Sequence, residues 1–68
     1  MEKPLLGKKI LIVEDEAVFR SLLDQFLLSM GAVTLKAEDG LEAIAQLQQH
    51  TVDLIISDLE MPRMSGIQ

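Results

Sequence analysis

The sequence predicts an α/β fold in the order β-α-β-α-β around a parallel sheet, and three features of the 68-residue chain lead there. Two short runs, Ile10-Leu11-Ile12-Val13 and Leu54-Ile55-Ile56, are apolar at consecutive positions, as strands covered on both faces are. A third run, Val33-Thr34-Leu35-Lys36-Ala37, alternates apolar with polar and suits a sheet edge with one wet face. Between the runs lie two stretches whose apolar residues recur at helical spacing.

The first strand is expected over residues 9–14 and ends in the carboxylates Glu14-Asp15-Glu16. The first helix follows over residues 16–30, with Phe19, Leu22, Leu23, Phe26, Leu27 and Met30 on one stripe at about 100° per residue. Gly31 stops it, because glycine takes the left-handed conformation that ends helices. The alternating strand comes next. The second helix starts after Asp39, which with Glu42 three residues on resembles a capping box, and Leu41, Ile44, Ala45 and Leu47 are its expected buried side. The third strand covers residues 53–58 and delivers Asp58 at its end, ahead of the turn-forming Pro62 and Gly66.

Placing the alternating strand at an edge gives the spatial order 2-1-3. Right-handed crossovers then put the two helices on opposite faces of the sheet. In that order the third strand is an outer strand with the composition of a covered one, so a neighbour is missing. The chain therefore reads as the first half of a larger domain over residues 1–68, with residues 1–8 as an N-terminal extension and the remainder of the domain absent.

Composition removes several classes of function. A net charge of −5, two Phe and no Trp or Tyr argue against a nucleic-acid face or a base-stacking platform. No cysteine is present, so there is no disulfide staple and no thiolate metal site. No apolar run approaches the length of a membrane span, and the first nine residues lack the apolar centre of a signal peptide. A cytoplasmic protein without nucleic-acid or membrane partners is the expectation.

The chemistry is expected where the two apolar strands end. Glu14-Asp15-Glu16 and Asp58 fall at the C-terminal ends of neighbouring parallel strands, and ligands of open α/β sheets bind there, at the point where strand order reverses. Clustered carboxylates repel one another, a penalty that a divalent cation removes. Oxygen ligands suit Mg²⁺, which commonly sits on one or two carboxylates and a phosphate. Such an ion screens an incoming phosphoryl group while an aspartate attacks it. The bland alternative is a solvated charge run, with Glu16 placed only to suit the positive end of the first helix.

Other residues carry less. His50, the only histidine, falls near the end of the second helix, where a cation complements the dipole. One His without Cys excludes an ordinary zinc site. A triad of Ser57, Asp58 and His50 fails, since adjacent strand residues point to opposite faces. Leu28 falls opposite the stripe of the first helix, near Ser21 and Asp24, and is a candidate partner contact.

Val13-Glu14-Asp15, Asp39-Gly40 and Asp58-x-x-Met61-Pro62-x-Met64-x-Gly66 resemble the receiver domain of bacterial two-component response regulators. The likeness covers nearly the whole chain but only the first half of the family's five-stranded, flavodoxin-like, doubly wound domain. It implies that Asp58 is the phosphoacceptor, that Asp15 ligates Mg²⁺ directly and Glu14 through water, and that the backbone carbonyl of Glu60 completes the protein's share. It also implies a histidine kinase or small acyl phosphate as donor, and a switch rather than a turnover enzyme. Pro4-Leu5-x-Gly7-Lys8, the run from Ile10 to Glu16 and Val18-Phe19-Arg20-Ser21-Leu22-Leu23-Asp24 are similar to adaptor response regulators that hand the general-stress sigma factor to a protease. A sigma factor is the partner this implies for the full-length protein.

Two departures matter. The family's Ser or Thr after its fourth strand and Lys after its fifth have no counterpart within the 68 residues. Glu60 adds a negative charge two residues after Asp58, facing the mouth of the expected pocket. Two alternatives therefore stay open. A Mg²⁺-dependent aspartyl phosphohydrolase would place a second Asp where Glu60 stands. A non-catalytic binding module would pair as a homodimer through the open edge of the third strand.

Overall fold

A computed structural model describes residues 3–57. Its elements are β1 (Lys9–Val13), α1 (Ala17–Ser29), β2 (Val33–Ala37), α2 (Gly40–Gln49) and β3 (Leu54–Ser57). The strands form one parallel sheet in the order β2-β1-β3, as the sequence predicts for the first half of a flavodoxin-like sheet. Val13 pairs with Ala37 on one side and Ser57 on the other, so all three strands end level. Asp58, Glu60 and the segment from Met61 to Gly66 lie outside the described residues.

The consecutive apolar residues of β1 serve two cores. Ile10 and Ile12 pack with Leu27 and Ala32, joined by Leu5, Leu23 and Ile56, on the α1 side. Leu11 and Val13 pack with Ala37 and Ala43, joined by Leu35 and Val52, on the α2 side. The helices thus cover opposite faces, which is why β1 needs an apolar residue at every position from Ile10 to Val13.

Only part of the stripe expected on α1 is buried. Leu27 is enclosed and Leu23 and Met30 are half-buried, while Phe19, Leu22 and Phe26 are exposed. The helix leans towards β2, where the Asp24 carboxylate accepts hydrogen bonds from Thr34 Oγ1 (2.5 Å) and Lys36 Nζ (3.3 Å). Phe19 and Phe26 project about 80–100° round the helix from Leu27, on the flank away from β2. The burial expected of α2 is wrong. Ala43 alone is buried, whereas Leu41 is 80% exposed and Ile44, Ala45 and Leu47 also face solvent. The small Ala43 side chain lets the helix sit close on Leu11, Val13 and Ala37, and Gln46 Nε2 donates to the Lys36 carbonyl (3.1 Å). That seating points the larger residues past the sheet.

The ends of α2 and α1 follow local chemistry. Asp39 Oδ1 accepts from the Glu42 amide (2.8 Å). Glu42 Oε1 accepts from the amide of Glu38, one residue earlier than in a standard capping box (2.8 Å). Gly31 has φ +95°, and the N-terminal turn closes over it. The Leu5 amide donates to the Met30 carbonyl (3.0 Å), the Gly7 amide to the Gly31 carbonyl (3.1 Å) and the Val33 amide to the Lys8 carbonyl (2.7 Å). A Cβ at Gly31 would lie 2.9 Å from both Leu6 Cα and Lys3 Cβ. The turn thus needs glycine for conformation and for space.

Among the described residues β3 pairs with β1 alone, and Leu54 and Ile55 are half-exposed despite their apolar run. No helix among the described residues is long and apolar enough to cross a membrane.

Candidate functional site

The β1 ladder ends at Val13, and Glu14 continues it by one bond, its amide donating to the Ala37 carbonyl (3.0 Å). The Glu14 carbonyl accepts from Arg20 Nη1 (2.8 Å). Its side chain folds inward, where Oε2 accepts from the Glu16 amide (3.1 Å). Glu14 is the one buried charged residue among those described, at 3% exposure. Its Oε1 has no hydrogen-bond partner among the described residues. A buried carboxylate oxygen left without a donor carries a desolvation cost, which a cation or a cation-bound water removes.

Asp15 is exposed immediately beyond Glu14. Glu16 turns the other way. Its Oε1 accepts from the Phe19 amide (3.0 Å), making it the N-cap of α1. Of the three clustered carboxylates, two remain for a ligand, and the third follows the bland reading of the charge run. His50 forms the C-cap of α2, its amide donating to the Gln46 carbonyl (2.9 Å), at the end of that helix remote from Glu14. Leu28 is half-exposed, as expected.

Ser57, the last described residue of β3, pairs with Val13. The two strands therefore stop side by side, each one residue short in sequence of its acidic residue, Glu14 or Asp58. Among the described residues no group of three or more His, Cys, Asp or Glu side chains could hold a metal ion. Glu14 and Asp15 supply a pair, and Mg²⁺ is commonly held by one or two carboxylates with waters. The buried, unpartnered Oε1 fits such an ion or its water shell.

Arg20 is the site-adjacent residue that the sequence reading passed over. Its guanidinium reaches from α1 to the Glu14 carbonyl and lies 3.9 Å from Glu38 Oε2. The available signal was its position four residues after the N-cap Glu16, one helical turn on, which turns it back towards the strand end.

The response regulator receiver domain family matches residues 10–68. The chain is similar to the Regulator of RpoS of Escherichia coli K12, 56% identical over 68 residues, which is all of this chain and 20% of that protein. It is also similar to the chemotaxis protein CheY of Bacillus subtilis, 36% identical over 63 residues, 91% of this chain and 52% of that protein. The polar-differentiation response regulator DivK of Brucella anthropi is 33% identical over 63 residues, 93% of this chain and 51% of that protein. The chain thus spans about a fifth of the length of the RpoS regulators and about half that of the shorter relatives. With the family pattern matched from β1 to Gln68, and the parallel β2-β1-β3 sheet carrying it, this chain belongs to the response regulator receiver domains.

Proposed function

We propose that the chain is the acceptor part of a phosphorylation switch. A carboxylate oxygen of Asp58 attacks the phosphorus of a histidine kinase phosphoimidazole or a small acyl phosphate. The P–N or P–O bond to the donor breaks, and imidazole or carboxylate leaves. Asp15 would hold Mg²⁺ directly, Glu14 through water and Glu60 through its backbone carbonyl. The bound ion supplies charge screening between these carboxylates and the phosphoryl oxygens. The observation that carries this reading is Glu14, buried at the end of β1 with Oε1 unpartnered among the described residues, next to exposed Asp15.

In this reading residues 1–68 are the N-terminal half of one receiver domain, with residues 1–8 as its extension. The added phosphoryl charge controls partner binding rather than substrate turnover. Likeness to the Regulator of RpoS supports RpoS, a sigma factor, as the regulated target of the longer protein, and in this reading the switch works in the cytoplasm.

Intact mass after incubation with acetyl phosphate and Mg²⁺ tests the acceptor role. One phosphoryl adduct is expected on the wild type, dependent on Mg²⁺ and missing from Asp58→Asn. An equal adduct on Asp58→Asn, or none on the wild type, counts against it. The half-exposed Leu54 and Ile55 favour a second reading, in which two copies pair through the outer edge of β3. Light scattering that reports a monomer at every concentration would remove that reading.

A further inference from the structure

We propose that Arg20 is a positioning residue for the cation site, fixing the direction in which Asp15 leaves the end of β1. The inference rests on Glu14 and Asp15 being that site. The Glu14 carbonyl and the Asp15 amide belong to one planar peptide unit. Holding the carbonyl therefore sets the plane from which the Asp15 Cα and side chain depart. On the other side of Glu14, its amide is held by the Ala37 carbonyl (3.0 Å). Both peptide planes flanking Glu14 are thus anchored, one from β2 and one from α1 through Arg20 Nη1 (2.8 Å).

The ion pair with Glu38 does not account for this placement. Arg20 Nη2 lies 3.9 Å from a Glu38 carboxylate that is 62% exposed, and such a contact is screened and contributes little. The Arg20 side chain is itself largely enclosed, at 19% exposure, and its short bond goes to backbone. Glu14 is left pinned at its amide, its carbonyl and Oε2, with Oε1 the one polar atom not engaged among the described residues.

Positioning and plain electrostatics predict opposite signs. A fixed guanidinium close to a cation site repels the cation, so on charge alone its removal would tighten Mg²⁺ binding. As a positioning group its removal weakens binding, since outer-shell partners of metal ligands typically contribute about 10–100-fold in affinity.

The test is a titration with Mg²⁺ alone, followed by backbone amide shifts, on wild type, Arg20→Ala, Arg20→Lys and the control Glu38→Gln. Amide exchange at Glu16, whose N–H bonds Glu14 Oε2, is measured without metal. Arg20→Ala is expected to weaken binding about tenfold and to speed Glu16 exchange, with Arg20→Lys intermediate because a flexible ammonium keeps a donor but not the planar, pre-organised geometry of the guanidinium. Glu38→Gln is expected to stay within about twofold of wild type. Affinity equal to or above wild type in Arg20→Ala, or unchanged Glu16 exchange, overturns the proposal while leaving the cation site standing. A wild type that binds no Mg²⁺ removes the cation site and the proposal with it. If Arg20→Ala does not fold, Arg20→Lys decides alone, and binding as tight as wild type overturns the proposal.

Discussion

Replacing Gly31 with alanine separates two demands that meet at one residue. Gly31 has φ +95°, and forcing an L-residue into left-handed backbone costs about 1–2 kcal/mol. The added Cβ would also stand 2.9 Å from Leu6 Cα, a backbone atom that cannot swing aside as a side-chain tip can. The N-terminal turn must lift. Lifting it loses the hydrogen bonds from Leu5 to Met30 and from Gly7 to Gly31, each worth about 1 kcal/mol net. Together the substitution is expected to cost about 3–4 kcal/mol, a large share of the roughly 3–10 kcal/mol typical of a chain this size. The assay is urea unfolding of four chains: wild type, Gly31→Ala, a form lacking residues 1–6, and the two changes combined. In the shortened background only the conformational cost remains, about 1–2 kcal/mol, leaving a coupling of about 2 kcal/mol. Equal costs in the two backgrounds would refute the close-approach argument and leave backbone conformation as the whole effect.

Three further outcomes are expected. Asp39→Ala removes the acceptor for the Glu42 amide and should lower stability by about 1 kcal/mol, read from the urea midpoint. On α2, Leu41→Ser should shift stability by less than about 0.5 kcal/mol, while Ala43→Val, against Leu11, Val13 and Ala37, should cost about 1–3 kcal/mol. The reverse order in thermal melts would mean the helix is seated on its large residues. Glu60→Gln should speed loading of Asp58 by acetyl phosphate by a few-fold, as removing one like charge from the path of an anionic donor in water is worth on the order of 1 kcal/mol or less. Identical loading rates would show that Glu60 does not guard the approach.

The elements and their order were legible because strong local signals agree. Asp39 with Glu42, Gly31 after Met30, and the unbroken Ile10-to-Val13 run each fix a boundary or a face without help from distant residues. Helix rotation was less legible. Apolar periodicity marks the face that could be buried, but the seat of α2 is decided by how closely the backbone can approach the sheet. There Ala43 wins over the larger Leu41 and Ile44. On α1 the polar link from Asp24 to Thr34 and Lys36 draws the helix towards β2, which hydrophobicity alone does not encode. At the site, the acidic run was visible, but its division of labour was not. Whether Glu16 caps a helix or faces a ligand depends on the turn after β1. The part played by Arg20 depends on a bond to a carbonyl, which leaves no mark in side-chain patterning.

The central strand has a consequence for how the chain comes into being. Lys9–Val13 is a short, β-prone, strongly apolar segment, and its first sheet partner, Val33, lies more than twenty residues downstream. Until β2 and β3 are synthesised, β1 is a template for pairing with any other chain in the same state. Lys8 and Lys9 stand immediately before its apolar residues, and Glu14, Asp15 and Glu16 immediately after. Charges in those places act as gatekeepers against intermolecular stacking. The carboxylates proposed to hold a cation in the finished domain therefore have earlier work, keeping the nascent strand apart from its copies until its own neighbours arrive.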